Sequence, residues 1–224
     1  YKRLVKLRGY YVFVAYLGLW WAYIYLIDDK VLINVLMFIT IIVNFSLIYY
    51  LFSKKKKIYY NYEKFIAGLF YVGGGCFFLT IITYKDNEFA NFLISGIFIL
   101  ICVNDSFAYL VGKTLWRTKI YPSLSPKKTI EGSLGGLVFT LGAAYIMAKY
   151  EDIVSPAQWI ILAGVIVLTG SLGDLIESKL KRQAGVKDSG AILPGHGGML
   201  DRLDSLIFAA PFAYLTLMLF SYVS

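Results

Sequence analysis

Charged residues are scarce in this chain of 224 residues: they make up 16% of it, whereas 58% is hydrophobic. A soluble domain of this length carries more charge and fewer apolar residues. Several stretches of about 20 apolar residues occur, which is the length that crosses a bilayer as a helix. The short alternating segments of a membrane β-barrel are missing. The sequence therefore predicts an all-α, polytopic integral membrane protein.

Histidine and cysteine are also rare. The chain has one histidine, His196, and two cysteines, Cys76 and Cys102. Zinc sites need three or four nitrogen or sulfur ligands, so a lone histidine argues against one. Both cysteines lie within apolar runs, and we expect them to be packing residues. Internal repeats are missing too, which argues against a transporter with Asp105 and Asp174 as its ion sites.

The apolar stretches predict about seven membrane spans, at residues 10–27, 31–52, 64–84, 89–112, 130–148, 156–176 and 203–223. We divide the chain into residues 1–88, a transmembrane scaffold, and residues 89–224, a catalytic transmembrane region. Glycines at 73–75 in the third span, and Gly132 with Gly136 in the fifth, predict close contact with neighbouring helices.

The net charge is +8, and the lysines and arginines that produce it are concentrated in every second loop. This alternation follows the positive-inside rule and predicts a cytoplasmic N-terminus. It places residues 113–131 and 177–204 together on the cytoplasmic face. Because the lysines lie beside apolar spans, the basic excess indicates contact with anionic membrane lipids and not with nucleic acid.

Charge is concentrated in one polar stretch, residues 171–204, which adjoins apolar spans. Charge in that setting is costly, and it is usually functional. The basic residues of this stretch include Lys181, Arg182, Lys187 and Arg202. Their side chains can neutralise phosphate oxygens, arginine with a bidentate fork.

The carboxylates of the polar stretch predict a cation site. Asp174, Glu177 and Ser178 share one helix face by their spacing, and Asp201 and Asp204 share a face at the start of the last span. Because Asp174 ends one span and Asp201 opens the next, the two carboxylates converge and would repel each other without a cation. Mg²⁺ takes such oxygen ligands together with substrate phosphates. We therefore predict a metal site at Asp174 and Asp201.

A glycine-rich segment surrounds His196. Gly197 and Gly198 follow it and can let backbone N–H groups approach an anion closely. His196 is predicted to hydrogen-bond a phosphate or a metal-bound water, with a structural loop role as the alternative.

Two upstream segments carry further polar residues. Asn104 and Asp105 interrupt the fourth span, which indicates a carboxylate facing the bundle interior or a wet cavity, or a hydrogen bond between helices. In the loop before the fifth span, Lys127 and Lys128 precede Thr129, a predicted N-cap. Adjacent lysines at a helix N-terminus favour a polyphosphate site.

These motifs resemble the signature of phosphatidate cytidylyltransferases, the CDP-diacylglycerol synthases. The resemblance rests on Ser178-x-Leu180-Lys181-Arg182, then Lys187-Asp188-x-Gly190, then Leu193-Pro194-x-His196-Gly197-Gly198-Met199-x-Asp201-Arg202-Leu203-Asp204. The segments 104–109 and 125–132 resemble the two upstream motifs of the family. Coverage runs from about residue 104 to the C-terminus, and family members usually carry one or two more N-terminal spans.

The resemblance implies transfer of CMP from CTP to phosphatidate, which gives CDP-diacylglycerol and pyrophosphate for phospholipid synthesis. It implies a homodimer in the cytoplasmic (inner) membrane with its active site facing the cytoplasm, and a Mg²⁺ centre with K⁺ as a possible second cation, held by Asp174 and Asp201. The predicted catalytic residues are Asp174, Lys187, Asp188, His196, Asp201, Arg202 and Asp204. The predicted substrate-binding residues are Asn104, Asp105, Ser125, Lys127, Lys128, Thr129, Glu131, Ser178, Lys181, Arg182, Gly197 and Gly198.

Two enzyme alternatives stay open. A CTP-dependent lipid-alcohol kinase would transfer the γ-phosphoryl group instead, with Asp188 or Asp204 as the base for the hydroxyl. A CDP-archaeol synthase would carry out the same chemistry on an ether lipid. Release of pyrophosphate or of CDP separates cytidylyl transfer from the kinase reaction.

Overall fold

The computed structural model describes residues 14, 17–18, 21, 29–53, 61–85, 88–89, 91–115, 118–122, 124–150, 154–190 and 198–220. In chain order the elements are α1 (Lys30–Phe52), α2 (Asn61–Gly68), a π-helical turn (Leu69–Gly74), α3 (Gly75–Ile82), β1 (Tyr84–Lys85), β2 (Glu88–Phe89), α4 (Asn91–Thr114), β3 (Lys119–Tyr121), β4 (Ser125–Thr129), α5 (Ile130–Met147), α6 (Pro156–Ala184) and α7 (Leu200–Leu219). Within these residues, six helical spans are long and apolar enough to cross a membrane. The prediction of an all-α polytopic membrane protein is confirmed.

The six spans correspond to six of the predicted ones. The helix that holds the sixth predicted span, α6, continues past the end of that span at Ile176 to Ala184, as the helical spacing of Asp174, Glu177 and Ser178 indicates, and so carries part of the polar stretch. The predicted first span, residues 10–27, falls almost wholly outside the described residues.

Helix ends follow from local side-chain chemistry. Asp29 accepts the backbone N–H groups of Val31 and Leu32 at the start of α1. Thr129 accepts the N–H of Gly132 at 3.1 Å, as predicted for the N-cap of α5. Such caps satisfy N–H groups that have no partner within the helix.

The end of α6 is set by Gly185, whose φ of 72° suits glycine. The N–H of Val186 donates to the carbonyl of Lys181, and the N–H of Gly185 donates to that of Arg182. This is a Schellman motif. It ends the helix just after the basic residues of the polar stretch.

The chain forms two compact units, residues 1–81 with 172–211 and residues 82–171 with 212–224. The division into residues 1–88 and 89–224 concerned the location of the motifs, and it stays a prediction.

In the first unit, glycine brings α3 close to α7. A Cβ atom at Gly75 would lie 2.3 Å from the backbone oxygen of Ile207, so a side chain there has no room. Nearby, the ring of Tyr71 in the π-helical turn meets the ring of Phe208 edge-on at 6.0 Å. The close approach predicted for the glycines at 73–75 is confirmed at Gly75.

In the second unit, α4 packs along α5. A Cβ atom at Gly132 would lie 2.5 Å from the backbone oxygen of Ala108, and one at Gly136 would lie 2.7 Å from Oδ1 of Asn104. The predicted close packing of these two glycines is confirmed.

Two short antiparallel hairpins, β1–β2 and β3–β4, were not predicted. The segment 125–129, expected to be a loop, is strand β4, in which Ser125 pairs with Tyr121 and Thr129 with Lys119. Pro126 disfavours helix, but it is compatible with an edge strand.

Apolar side chains also cover outward-facing surfaces. On α1, Val31, Val35, Phe38, Ile42 and Phe45 recur every three or four residues and are each more than half exposed. Such a stripe fits contact with lipid. Cys76 and Cys102 are likewise exposed and are free thiols.

Candidate active site

The last four turns of α6 present two functional faces. Asp174, Glu177, Ser178 and Lys181 fall on one face by their helical spacing, as the sequence predicted for the first three. Lys179 lies on the opposite side of the helix, together with Gln183. The sequence of α6 therefore places a charged cluster on one side and a structural anchor on the other.

Three carboxylates gather on the charged side. Oxygens of Asp174, Glu177 and Asp204 all lie within 4.8 Å of one another. Glu177 is fully buried, and Asp204 is 6% exposed. Burying charges this close together is costly unless cations compensate them. Asp204 reaches the cluster because Gly173 lets α7 approach: a Cβ atom at Gly173 would lie 2.9 Å from the backbone oxygen of Asp204.

Lys181 supplies one compensating charge. Its Nζ lies 2.5 Å from Oε2 of Glu177 and 2.9 Å from Oδ1 of Asp201. The ammonium group thus links α6 to the start of α7. One lysine does not neutralise Asp174, Glu177, Asp201 and Asp204 together, so the cluster is suited to a further cation.

Asp201 is held by several donors in addition to Lys181. Its Oδ2 accepts the N–H of Ser189 at 2.9 Å, the hydroxyl of Ser189 at 2.9 Å and the N–H of Gly198 at 2.7 Å. Its Oδ1 accepts the N–H of Ser189 at 3.1 Å. Both oxygens are therefore fixed in place, and Asp201 is not one of the three carboxylates that lie within 4.8 Å of one another.

The anchor face of α6 binds the end of α1. The buried Nζ of Lys179 donates to the backbone oxygens of Tyr50, Leu51 and Ser53, at 2.5, 3.3 and 3.0 Å. It also lies 4.2 Å from the centre of the Tyr50 ring, whose hydroxyl donates to Gln183. A cation at the C-terminal end of a helix also interacts favourably with the helix dipole. These contacts fix the end of α1 to the C-terminal part of α6.

The carboxylate cluster fits a hard divalent cation such as Mg²⁺. Ligands at 2.0–2.1 Å from Mg²⁺ lie about 3–4 Å apart, and the three oxygens lie within 4.8 Å of one another. Oε1 of Glu177 is buried and has no hydrogen-bond partner among the described residues. A bound cation would give that buried carboxylate oxygen a partner.

Several predicted residues of the polar stretch lie at the surface. Ser178 is an exception: it is buried, and its hydroxyl donates to Oδ1 of Asp174 at 3.3 Å. The side chains of Arg182, Lys187, Asp188 and Arg202 are exposed. His196 and Gly197 lie outside the described residues, and their roles stay predictions.

The upstream residues belong to the second unit. Asn104 is buried and donates to Asp105, which is exposed on α4. Glu131 accepts the N–H of Thr118 with both carboxylate oxygens at 3.1 Å. Ser125, Lys127 and Lys128 lie in β4, and for Lys127 only the backbone is described. The substrate-binding roles of these residues and of Thr129 stay predictions.

Sequence reasoning gave no role to three residues of this arrangement. Glu177 was placed on the correct face but not among the site residues, although its i, i+3 spacing from Asp174 was the available signal. Ser189 and Lys179 gave no such signal. Their partners, Asp201 and the carbonyls at the end of α1, are 12 and about 130 residues away in sequence.

Among the described residues, six helices are long and apolar enough to span a membrane, and a buried carboxylate cluster beside a bridging lysine could hold a metal ion. These features define the class as a helical membrane protein. The chain belongs to the cytidylyltransferase family, which it matches over residues 1–220. The family resemblance predicted from the motifs is thus confirmed.

Similar proteins include a phosphatidate cytidylyltransferase of Bacillus subtilis, 48% identical over 124 residues, which are 55% of this chain and 46% of the relative. Those of Staphylococcus saprophyticus and Staphylococcus aureus (strain COL) are 38% and 39% identical over 165 residues, 73% of this chain and 62% of each relative. The chain thus spans about half to three fifths of the curated relatives it matches.

Proposed function

We propose that the protein transfers the CMP moiety of CTP to phosphatidate and gives CDP-diacylglycerol and pyrophosphate. The observation that carries the proposal is the cluster of Asp174, Glu177 and Asp204, in which the buried Glu177 has an oxygen without a hydrogen-bond partner among the described residues. Membership of the cytidylyltransferase family and the names of the relatives support the nucleotide and the lipid.

In the proposed reaction, a phosphate oxygen of phosphatidate attacks the α-phosphorus of CTP. A new P–O bond forms there, the bond to the β-phosphate oxygen breaks, and pyrophosphate leaves with that electron pair. Because the attacking phosphate is already ionised, no general base is needed. The protein's task is to hold the groups in line and to stabilise charge.

We propose Asp174 and Asp201 as the metal ligands, with Glu177 and Asp204 completing the acidic lining. When bound, Mg²⁺ supplies charge neutralisation and a template for the triphosphate oxygens; K⁺ as a second cation belongs to the same proposal. Lys181 holds Glu177 and Asp201 in register at 2.5 and 2.9 Å. Ser178 orients Asp174 through its hydroxyl.

The exposed basic residues are proposed to bind the anionic substrates. Arg182, Lys187 and Arg202 surround the polar end of α6 and the start of α7 in sequence and are exposed. Their side chains can form charge-assisted hydrogen bonds to phosphate oxygens, arginine with two at once. We propose the same role for Lys127 and Lys128 on β4.

The test is a product assay with purified protein, CTP labelled at the α-phosphorus, phosphatidate and Mg²⁺. We expect labelled CMP to appear on the lipid, with release of one pyrophosphate for each, and both to stop in EDTA. Release of CDP with an unlabelled lipid would instead indicate a kinase. Absence of any lipid-linked CMP contradicts the proposal.

We propose further that the polar end of α6 faces the cytoplasm of the cell membrane and that the protein is a homodimer. A Lys187→Cys variant lacking the two native cysteines tests the orientation. A membrane-impermeant maleimide should label it only after the cells are opened, and labelling of intact cells would contradict the orientation. Cross-linking in native membranes tests the dimer, and finding monomers alone would contradict it.

A further inference from the structure

Ser189 is tied to Asp201 by three hydrogen bonds. Its N–H donates to both carboxylate oxygens, at 3.1 and 2.9 Å, and its hydroxyl donates to Oδ2 at 2.9 Å. We infer that Ser189 is a positioning residue that sets the orientation of Asp201 for cation binding. This inference rests on the proposed function, in which Asp201 is a metal ligand.

The chemistry of the donor explains why a serine suits this position. Lys181, the other side-chain partner of Asp201 in the described part of the chain, is charged and partly neutralises the carboxylate. Ser189 is neutral, so it orients the carboxylate and leaves its negative charge available to a cation. Hydrogen bonds to an ionised carboxylate are also stronger than those between neutral groups.

Packing fixes the serine itself. A Cβ atom at Gly198 would lie 2.4 Å from Oγ of Ser189 and 2.6 Å from the backbone nitrogen of Gly190. The hydroxyl therefore occupies space that is open only because residue 198 is glycine. Gly198 also donates its N–H to Oδ2 of Asp201. Ser189 and Gly198 thus hold the same carboxylate from two backbone segments.

The experiment measures Mg²⁺ binding apart from catalysis. Thermal unfolding in detergent is followed as Mg²⁺ is added without substrates, because a ligand of the native state raises the Tm according to its affinity. Ser189→Ala removes one of the three hydrogen bonds. Loss of a residue that orients a metal ligand costs about 10–100-fold in metal affinity. We expect the Mg²⁺ concentration for half-maximal stabilisation to rise about tenfold, with the Tm in the absence of Mg²⁺ little changed.

Ser46→Ala is the matched control, because Ser46 is exposed on α1 and, within the described residues, its hydroxyl donates only to the local carbonyl of Val43. It should leave the Mg²⁺ dependence unchanged. Gly198→Ala, which displaces the Ser189 hydroxyl, should weaken Mg²⁺ binding at least as much as Ser189→Ala.

Three results would overturn the inference: an unchanged Mg²⁺ midpoint in Ser189→Ala, a lower Tm with unchanged Mg²⁺ dependence, or a wild type that Mg²⁺ does not stabilise. A wild type that binds Mg²⁺ but transfers no CMP would contradict the proposed function alone. The Mg²⁺ midpoints of the variants would then still decide the role of Ser189.

Discussion

Glu177 is fully buried, and Lys181 is 15% exposed, yet both are ionisable and lie 2.5 Å apart. Removing two charges from water is costly, and their attraction does not always repay that cost. A buried pair is therefore poor support for stability taken alone. Its position between Asp174, Asp201 and Asp204 accounts better for its presence, because the pair sets the charge of the proposed cation site.

This reading predicts a specific pattern of stabilities. Glu177→Gln removes one partner of Lys181 but also one of three carboxylates that repel each other, and Lys181 keeps Asp201. We therefore expect a loss in the free energy of unfolding smaller than the loss of about 3 kcal/mol for an unpaired buried charge. Lys181→Met should cost as much or more, since Asp201 loses a partner as well. The double variant Glu177→Gln/Lys181→Met should lose less free energy of unfolding than the two single variants lose together. Unfolding in mixed micelles measures the cycle, and additive losses would contradict a coupled pair.

Residues of this site were predictable where helical spacing alone determines which side chains share a face. The i, i+3, i+4 positions of Asp174, Glu177 and Ser178 fix a common face in any helix. By contrast, Ser189 meets Asp201 because of the turn after Gly185 and the packing on Gly198. A backbone path of that kind leaves no periodic signal in the sequence.

The contact of α4 with α5 depends on small residues. A Cβ atom at Gly136 would meet Asn104 at 2.7 Å, whereas one at Gly142, in the same helix, would meet nothing within 4 Å. We expect Gly136→Ala to destabilise the protein by about 1–3 kcal/mol through overpacking. Gly142→Ala is the control and should be neutral or slightly stabilising, because alanine favours helix. Equal effects of the two changes on unfolding would contradict the close contact.

The anchor between α6 and α1 gives a second helix-level prediction. Lys179→Met leaves the carbonyls of Tyr50, Leu51 and Ser53 without their charged donor, and hydrogen bonds to charged groups contribute about 1.5–3 kcal/mol each. We expect a loss of about 2 kcal/mol and partial recovery in Lys179→Arg.

Lys149→Met is its control, since Lys149 is exposed and lies 4.9 Å from the centre of the Tyr145 ring. It should change the free energy of unfolding by less than about 1 kcal/mol. A Lys179→Met protein as stable as Lys149→Met would show that the anchor contributes nothing.

Helices were predictable as elements because about 20 apolar residues in a row suit little else in a membrane. Their connections were not. The β3–β4 hairpin is stabilised by backbone pairing, and its polar sequence has no strand pattern that predicts it. The π-helical turn at Leu69–Gly74 lies within an apolar run that resembles ordinary helix. The continuation of α6 beyond its apolar span was predictable, because the spacing of Asp174, Glu177 and Ser178 already indicates a helix that reaches Gly185.

At the scale of the whole molecule, many large apolar side chains are exposed on the surface. Ile42, 66% exposed on α1, should face lipid. Ile42→Arg would place a charge in the hydrocarbon, at a cost of about 2.5–3.5 kcal/mol on insertion scales. We expect less protein in the membrane fraction after carbonate extraction, whereas Ile42→Leu should behave as wild type. An arginine variant that inserts as well as wild type would contradict a lipid-facing stripe.

Composition was sufficient to predict the class of the molecule, and motif spacing was sufficient to predict its family. The two compact units were beyond sequence reasoning, because one unit joins residues 1–81 with 172–211. Such a unit is held together by contacts between segments far apart in the chain, such as that of Gly75 with Ile207, and no local sequence pattern predicts these contacts.

The proposed cation site is tested most directly by replacing Asp174. CMP transfer from CTP to phosphatidate is measured in micelles for wild type, Asp174→Asn and Asp29→Asn. Asp29→Asn makes the same chemical change at the N-cap of α1, where asparagine caps as well as aspartate. We predict a loss of at least about 100-fold for Asp174→Asn, because a metal ligand contributes several kcal/mol to transition-state stabilisation, and near wild-type transfer for Asp29→Asn. Wild-type transfer by Asp174→Asn would contradict the account.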